Sequence, residues 1–213
     1  MALRQSADPE GYKKLLVYKK AEELQGECAR LTAQFPREKT LIALADQMDR
    51  SARSVKQNIV EGWMRNSTKE YYEFLGFSIG ANAELEEDCD DIIKGVYKGL
   101  SARGGSAFGG KGMEGELKGE EVARLRFYPL DTKLPLVVQL KLRCKELKLL
   151  FSKLQKSLEE KMVEEHRLSG ADRLAAGRKQ RMTEDRWFER TLEEKGLVRL
   201  PNGQIVSKEE KGD

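Results

Sequence analysis

Residues Gln47 to Gly62 read QMDRSARSVKQNIVEG, and this stretch decides the fold. It holds no Pro and only a terminal Gly, so nothing interrupts a helix. Ser51, Ala52 and Ser54 place small side chains within about one turn, which lets a neighbouring helix approach closely. Asn58 and Glu61 bring hydrogen-bonding groups to the end of the same run. The pattern predicts an inner, polar-seamed helix of a bundle rather than an active site.

The flanking chain supplies partners for it. From Tyr12 to Phe35, apolar residues recur at Val17, Ala21, Leu24, Cys28, Leu31 and Phe35, alternating steps of four and three. Phe35-Pro36 closes that helix, because Pro disfavours helical geometry in the residue before it. A second helix is expected from about Glu38 to Arg65, with Leu41, Leu44, Met48, Val55 and Ile59 on its seam. Ser67 and Glu70 have capping-box spacing and predict a third helix to about Lys98. Its seam is Tyr71, Leu75, Ser78, Asn82, Leu85, Cys89, Ile92 and Val96. Gly76 and Gly80 lie within it and predict a further close helix contact, since Gly costs about 1 kcal/mol relative to Ala in a helix.

Residues 99 to 120 are glycine-rich and read as an insertion. Leu125 to Leu130 form a second apolar patch, and Asp131-Thr132 can cap a fourth helix, expected over about 134 to 165. There Leu140, Cys144, Leu147, Phe151, Leu154 and Leu158 repeat the four-three step. The fold expected is all-α, an up-down four-helix bundle over 12–165. A lead-in (1–11) precedes it and a basic extension (166–213) follows. Ser169-Gly170 is read as a break, followed by two short helices near Ala171 to Arg181 and Thr183 to Lys195, with Gly196 as a stop. A β-hairpin around Asn202-Gly203 completes the extension.

Composition agrees with long amphipathic helices. Of 213 residues 35% are charged and only 7% aromatic, against about 25% charged in an ordinary globular protein. Net charge is +3, so charge balance alone indicates no nucleic-acid ligand. No apolar run approaches the roughly 20 residues that span a bilayer, and MALRQSADPEG lacks a hydrophobic signal core. Three widely spaced cysteines argue against a disulfide framework. A cytoplasmic location with no membrane role is expected.

Several pieces, taken in order, carry a resemblance: YKKLLVYKK at Tyr12 to Lys20, Phe35-Pro36, and Gln47 to Gly62 against a Q-x-R-R-A-x-x-S-I-x-x-N-I-x-E-G pattern. Arg65-Asn66-Ser67, Glu70 to Leu75, and Gly80 to Glu86 continue it. Residues 12 to about 98 resemble the four-helix-bundle family of 23S ribosomal RNA intervening-sequence proteins. That family includes the Avd-like accessory variability determinants of diversity-generating retroelements. Asp49 stands where the pattern has Arg. The resemblance implies a cytosolic bundle that assembles as a homopentamer and has no known catalysis. It also implies a basic surface for RNA or DNA and, in the retroelement members, for a reverse transcriptase.

The basic residues are the candidate ligand contacts, because clustered positive charge binds phosphate backbones. Lys13, Lys14, Lys19 and Lys20 crowd the start of the first helix, and Arg50, Arg53 and Lys56 lie on the second. Lys141, Arg143, Lys145 and Lys148 lie on the fourth, followed by Lys153, Lys156 and Lys161. The competing reading is a solvated face paired with the acidic third helix, through Glu84, Glu86, Glu87, Asp88, Asp90 and Asp91.

Other chemistries find little material. Glu84, Asp88 and Asp91 share a helix face and could present carboxylates to a metal, but di-iron bundles need Glu-x-x-His pairs. His166 stands alone, without a neighbour to orient it for catalysis. Gly109-Gly110-Lys111-Gly112 lacks the Ser/Thr and preceding strand of a phosphate loop. The cysteines fall on predicted seams as small apolar residues. A helix over Asp185 to Lys195 with the hairpin has the order of a recognition helix and wing, though Trp187, Phe188 and Leu192 can equally pack this segment onto the bundle. The function expected is a non-enzymatic, oligomeric, nucleic-acid-binding scaffold without cofactor, metal or small-molecule substrate. The alternative is a protein–protein adaptor with no nucleic-acid role.

Overall fold

The computed structural model describes residues 8–102, 130–201 and 203–208. Its bundle helices are α1 (Leu16–Thr32), α2 (Lys39–Trp63), α3 (Thr68–Ile93) and α5 (Leu136–Arg167), with the short α4 (Lys98–Ala102) between the last two. α6 (Gly170–Glu194) and a two-stranded sheet, β1 (Leu197–Arg199) and β2 (Ile205–Ser207), follow. The bundle helices pack in the cyclic order α1, α2, α3, α5, so α1 lies diagonal to α3 and α2 diagonal to α5. Contacts fix the directions: Thr32 meets Asp49, Gly62 lies against Tyr71, and Thr68 reaches Glu165. Consecutive bundle helices therefore run antiparallel, in an up-down-up-down bundle.

The predicted seams form the core. Val17, Ala21, Leu24, Cys28 and Leu31 of α1 meet Leu41, Leu44, Met48, Ala52, Val55 and Ile59 of α2. Tyr71, Leu75, Leu85, Cys89 and Ile92 come from α3, and Leu140, Cys144, Leu147, Phe151 and Leu158 from α5. All three cysteines are free and buried, and burial raises each thiol pKa. Ser51 is buried as the small-residue reading requires, and its hydroxyl donates to Glu84 at 3.2 Å. Asp49, where the family pattern has Arg, accepts from Thr32 Oγ1 at 3.0 Å and ties α1 to α2.

Other expectations are corrected. The first helix begins after a 3-10 turn at Gly11–Lys14, so Lys13 and Lys14 precede α1 rather than crowding it. Asp8 and Gly11 of the lead-in are held by Trp63, whose indole N–H donates to the Asp8 carbonyl at 2.9 Å. α3 stops at Ile93 because Gly95, at φ 75, takes a left-handed conformation, which leaves Val96 58% exposed instead of on the seam. The cap of α5 is Pro135, while Asp131 accepts from the Lys133 amide in the preceding turn. Gly76 and Gly80 have no close neighbour: a Cβ at either would meet nothing within 4 Å.

The close approach occurs at Gly62, where a Cβ would lie 2.6 Å from the Tyr71 ring. Ser67 caps α3 as expected, accepting from the Glu70 amide at 3.2 Å. Of the insertion, residues 99–102 fall in α4, and Leu100 is buried in the core. The remainder, with Gly109 to Gly112 and most of the 125–130 patch, lies outside the described residues.

The described residues of the extension form one helix after α5, not two. Ser169 caps it by accepting from the Asp172 amide. Thr183, the expected restart, instead donates its hydroxyl to the Lys179 carbonyl at 2.9 Å and continues the helix. Gly196, at φ 68, ends the turn after it. The hairpin is present, with Val198 opposite Val206 and Gly203 at φ 87, while Asn202 lies outside the described residues. α6 packs on β1 and makes at most marginal contact with the bundle helices, so Leu192 is buried away from the main core.

Candidate nucleic-acid interface

The basic residues do not form one surface. Arg50, Arg53 and Lys56 lie on α2, while Lys141, Arg143, Lys145 and Lys148 lie on the diagonal helix α5. Many of them already have acidic partners. Lys13 pairs with Glu10 and Lys14 with Asp8, both at 2.8 Å, and Arg50 pairs with Asp46 one helical turn away.

Three of the candidates are part of the bundle's interior. Lys141 is buried and donates to Asp90 on α3. Arg143, with its side chain 15% exposed, donates to Glu27 of α1 at 3.3 Å and to Glu146 at 2.9 Å. Burial opposes the charge on Arg143, yet the hydrogen bond it donates to Glu146 and the charge of Glu27 outweigh it and raise its pKa. Lys20 sits between Glu23, at 2.7 Å, and Glu146, at 4.0 Å. Such pairs set helix register, and the charge they carry is already balanced by a carboxylate rather than offered to phosphate. The reading of a face paired with carboxylates holds for these residues, but with Glu23, Glu27 and Glu146 as well as the third helix.

What remains is a stripe on α5. Lys145, half-buried, and Lys148, exposed, make no ion pair with a described residue, nor do the exposed Lys153 and Lys156 farther along. At 100° per residue these four lie within one arc of the helix, and from 145 to 156 they span about 16 Å. Leu149, 51% exposed, lies among them. Glu159, hydrogen-bonded to Tyr72 at 2.9 Å, and Glu160 bound the stripe at its C-terminal end. Lys19, Arg53 and Lys56 are likewise without an ion pair among the described residues, but they stand singly or on the far corner.

The carboxylate face of α3 is differently arranged. Glu84 accepts from Ser51, and one oxygen of Asp88 is buried without a hydrogen-bond partner. Burial, then Asp91 and Glu84, push the Asp88 carboxyl up to about 6. Among the described residues no group of His, Cys, Asp and Glu has the geometry to hold a metal ion. His166 is exposed in the last turn of α5, and no described helix is long and apolar enough to cross a membrane. In the extension, α6 and the hairpin present one helix and one ribbon, so the described residues contain no second helix for a helix-turn-helix.

Fold and surface together define a four-helix bundle with ion pairs between its helices and a lysine stripe unpaired among the described residues. Residues 13–94 match the family model described as 23S rRNA-intervening sequence protein. The match spans α1 to α3 and ends before α4, so α5 and the extension lie beyond it. No curated protein and no solved structure matches the chain.

Proposed function

We propose that this chain is a non-enzymatic, self-associating scaffold that binds RNA, in the setting of a ribosomal RNA intervening sequence, through the lysine stripe of α5. The observation that carries the reading is the stripe itself: Lys145, Lys148, Lys153 and Lys156 lie along one side of a helix without a described carboxylate to neutralise them. Unpaired ammonium groups on a rigid element lose little on meeting a phosphate backbone, and they release condensed counterions when they do so. The family description supports RNA over DNA as the ligand.

A filter-binding titration of the full chain against structured RNA at several salt concentrations tests this. Binding that weakens linearly in log–log form with salt is the expected result. No binding at low salt would leave the adaptor reading in its place.

A further inference from the structure

Two helix faces are largely uncovered by the described residues, apart from the Ser51 hydroxyl of α2 on Glu84, and they are complementary. On α3 the solvent-facing side carries Glu73, Gly76, Phe77, Gly80, Glu84 and Glu87. Phe77 is 60% exposed and packs edge-on against Phe74 at 5.6 Å. Large exposed aromatics beside an open helix groove mark interaction surfaces. The groove here is open because nothing lies within 4 Å of a Cβ at Gly76 or Gly80.

On α6 one side carries Ala171, Leu174, Ala175, Arg178, Met182 and Arg186, and Leu174 and Met182 are each 56% exposed. This face is apolar with Arg178, Lys179 and Arg186 and with Asp185 at its edge. The α3 face is instead apolar with glutamates, of which Glu73 pairs with Lys69 one turn away at 3.8 Å. α6 leaves α5 through Leu168 and Ser169, both extended, and its own bundle does not cover it. A short hinge that carries an amphipathic helix away from its own core favours exchange between copies.

We propose that α6 of one copy lies along α3 of a second copy. With the two helices antiparallel and Arg178 level with Phe77, Leu174 and Met182 flank the Phe77 ring, Ala175 lies level with Gly80, whose open position lets the helix axes approach, and Arg186 reaches Glu73. Opposite charge at the rim sets the register and selects this partner. The contact rests on the self-association proposed above and names one surface that produces it.

Mixing full-length Gly80→Cys protein with full-length Ala175→Cys protein under mild oxidation tests the contact. The three native cysteines are buried and do not compete. The expected product is a cross-link joining the two different chains, formed in the mixture well above either protein alone. No cross-link would overturn the proposal, and so would one confined within single chains of the Gly80→Cys/Ala175→Cys double variant. Light scattering separates the two readings. A monomeric mass for the unaltered chain would sink self-association as a whole. An oligomer whose mass is unchanged by Arg186→Glu would sink only the arm contact. Loss of mass in that variant, restored on mixing with Glu73→Lys protein, supports it.

Discussion

The ammonium of Lys141 on α5 is buried and donates to the carboxylate of Asp90 on α3, across the bundle interior. Their side chains are 7% and 18% exposed, so water does little to replace either partner. Removing one member leaves the other desolvated and unpaired. Lys141→Met is therefore expected to destabilise the fold by about 3 kcal/mol, and Lys141→Met/Asp90→Leu to recover most of the loss. Urea denaturation of the two variants checks this. A double variant no more stable than the single would show that the pair contributes more than register.

Gly62 and Gly80 are both helical glycines, and substitution by Ala should move stability in opposite directions. At Gly62 the new Cβ would lie 2.6 Å from Tyr71 Cδ2 and 2.8 Å from Phe74 Cβ. That overlap forces α2 and α3 apart and is expected to cost about 2 kcal/mol. At Gly80 the Cβ meets nothing, so Gly80→Ala should stabilise the subunit by up to about 1 kcal/mol through helix propensity. Thermal unfolding of both variants, at a concentration where the chain is monomeric, provides the comparison.

These two glycines also show where sequence reading stopped. The seams were legible because a four-three step has one burial solution, and Val17 through Leu31 and Leu140 through Leu158 fall where that step places them. The purpose of a glycine was not legible: Gly62, Gly76 and Gly80 look alike in sequence, and only the packing distinguishes contact from open space. The ion pairs were hidden for a related reason. Lys141 and Lys145 lie one turn apart on almost the same face, yet one is buried against Asp90 and the other is unpaired. The neighbour across the helix interface separates them, Asp90 of α3 at Lys141 and no described carboxylate at Lys145, and helical periodicity carries no information about that neighbour. Thr183 was misread as a helix start because a hydroxyl that caps a new helix can equally bond back within an existing one.

Asp88 predicts a pH dependence. Its carboxyl is pushed from 3.8 up to about 6 by burial, with Asp91 and Glu84 adding to it, and Cys28 and Tyr97 nearby offer no positive charge. A folded-state value above the unfolded one means that the fold prefers the protonated acid. Its contribution to stability is therefore full below about pH 4, declines as pH rises towards 6, and stays at its lowest above that. Asp88→Asn should leave the melting temperature nearly unchanged at pH 4 and raise it by a few degrees at pH 7.5. An equal shift at both values would mean that the carboxyl is not raised.

The lysine stripe makes the sharpest functional prediction, because stability and binding should separate along a single helix. Neutralising Lys145, Lys148, Lys153 and Lys156 together to Gln removes four unpaired charges without touching a described ion pair. Each phosphate contact contributes roughly 0.7 to the log–log salt slope on a single strand and roughly 0.9 on a B-form duplex. The variant should therefore lose about 3 units of slope and bind RNA at least tenfold more weakly at low salt, with unfolding in urea unaltered. Lys141→Met should do the reverse, losing stability while a folded sample keeps the wild-type slope, since Asp90 already occupies its donor. Filter binding across a salt series, run beside the denaturation curves, reads both effects. A slope that falls with Lys141→Met but not with the four-lysine variant would move the ligand to another face of the bundle.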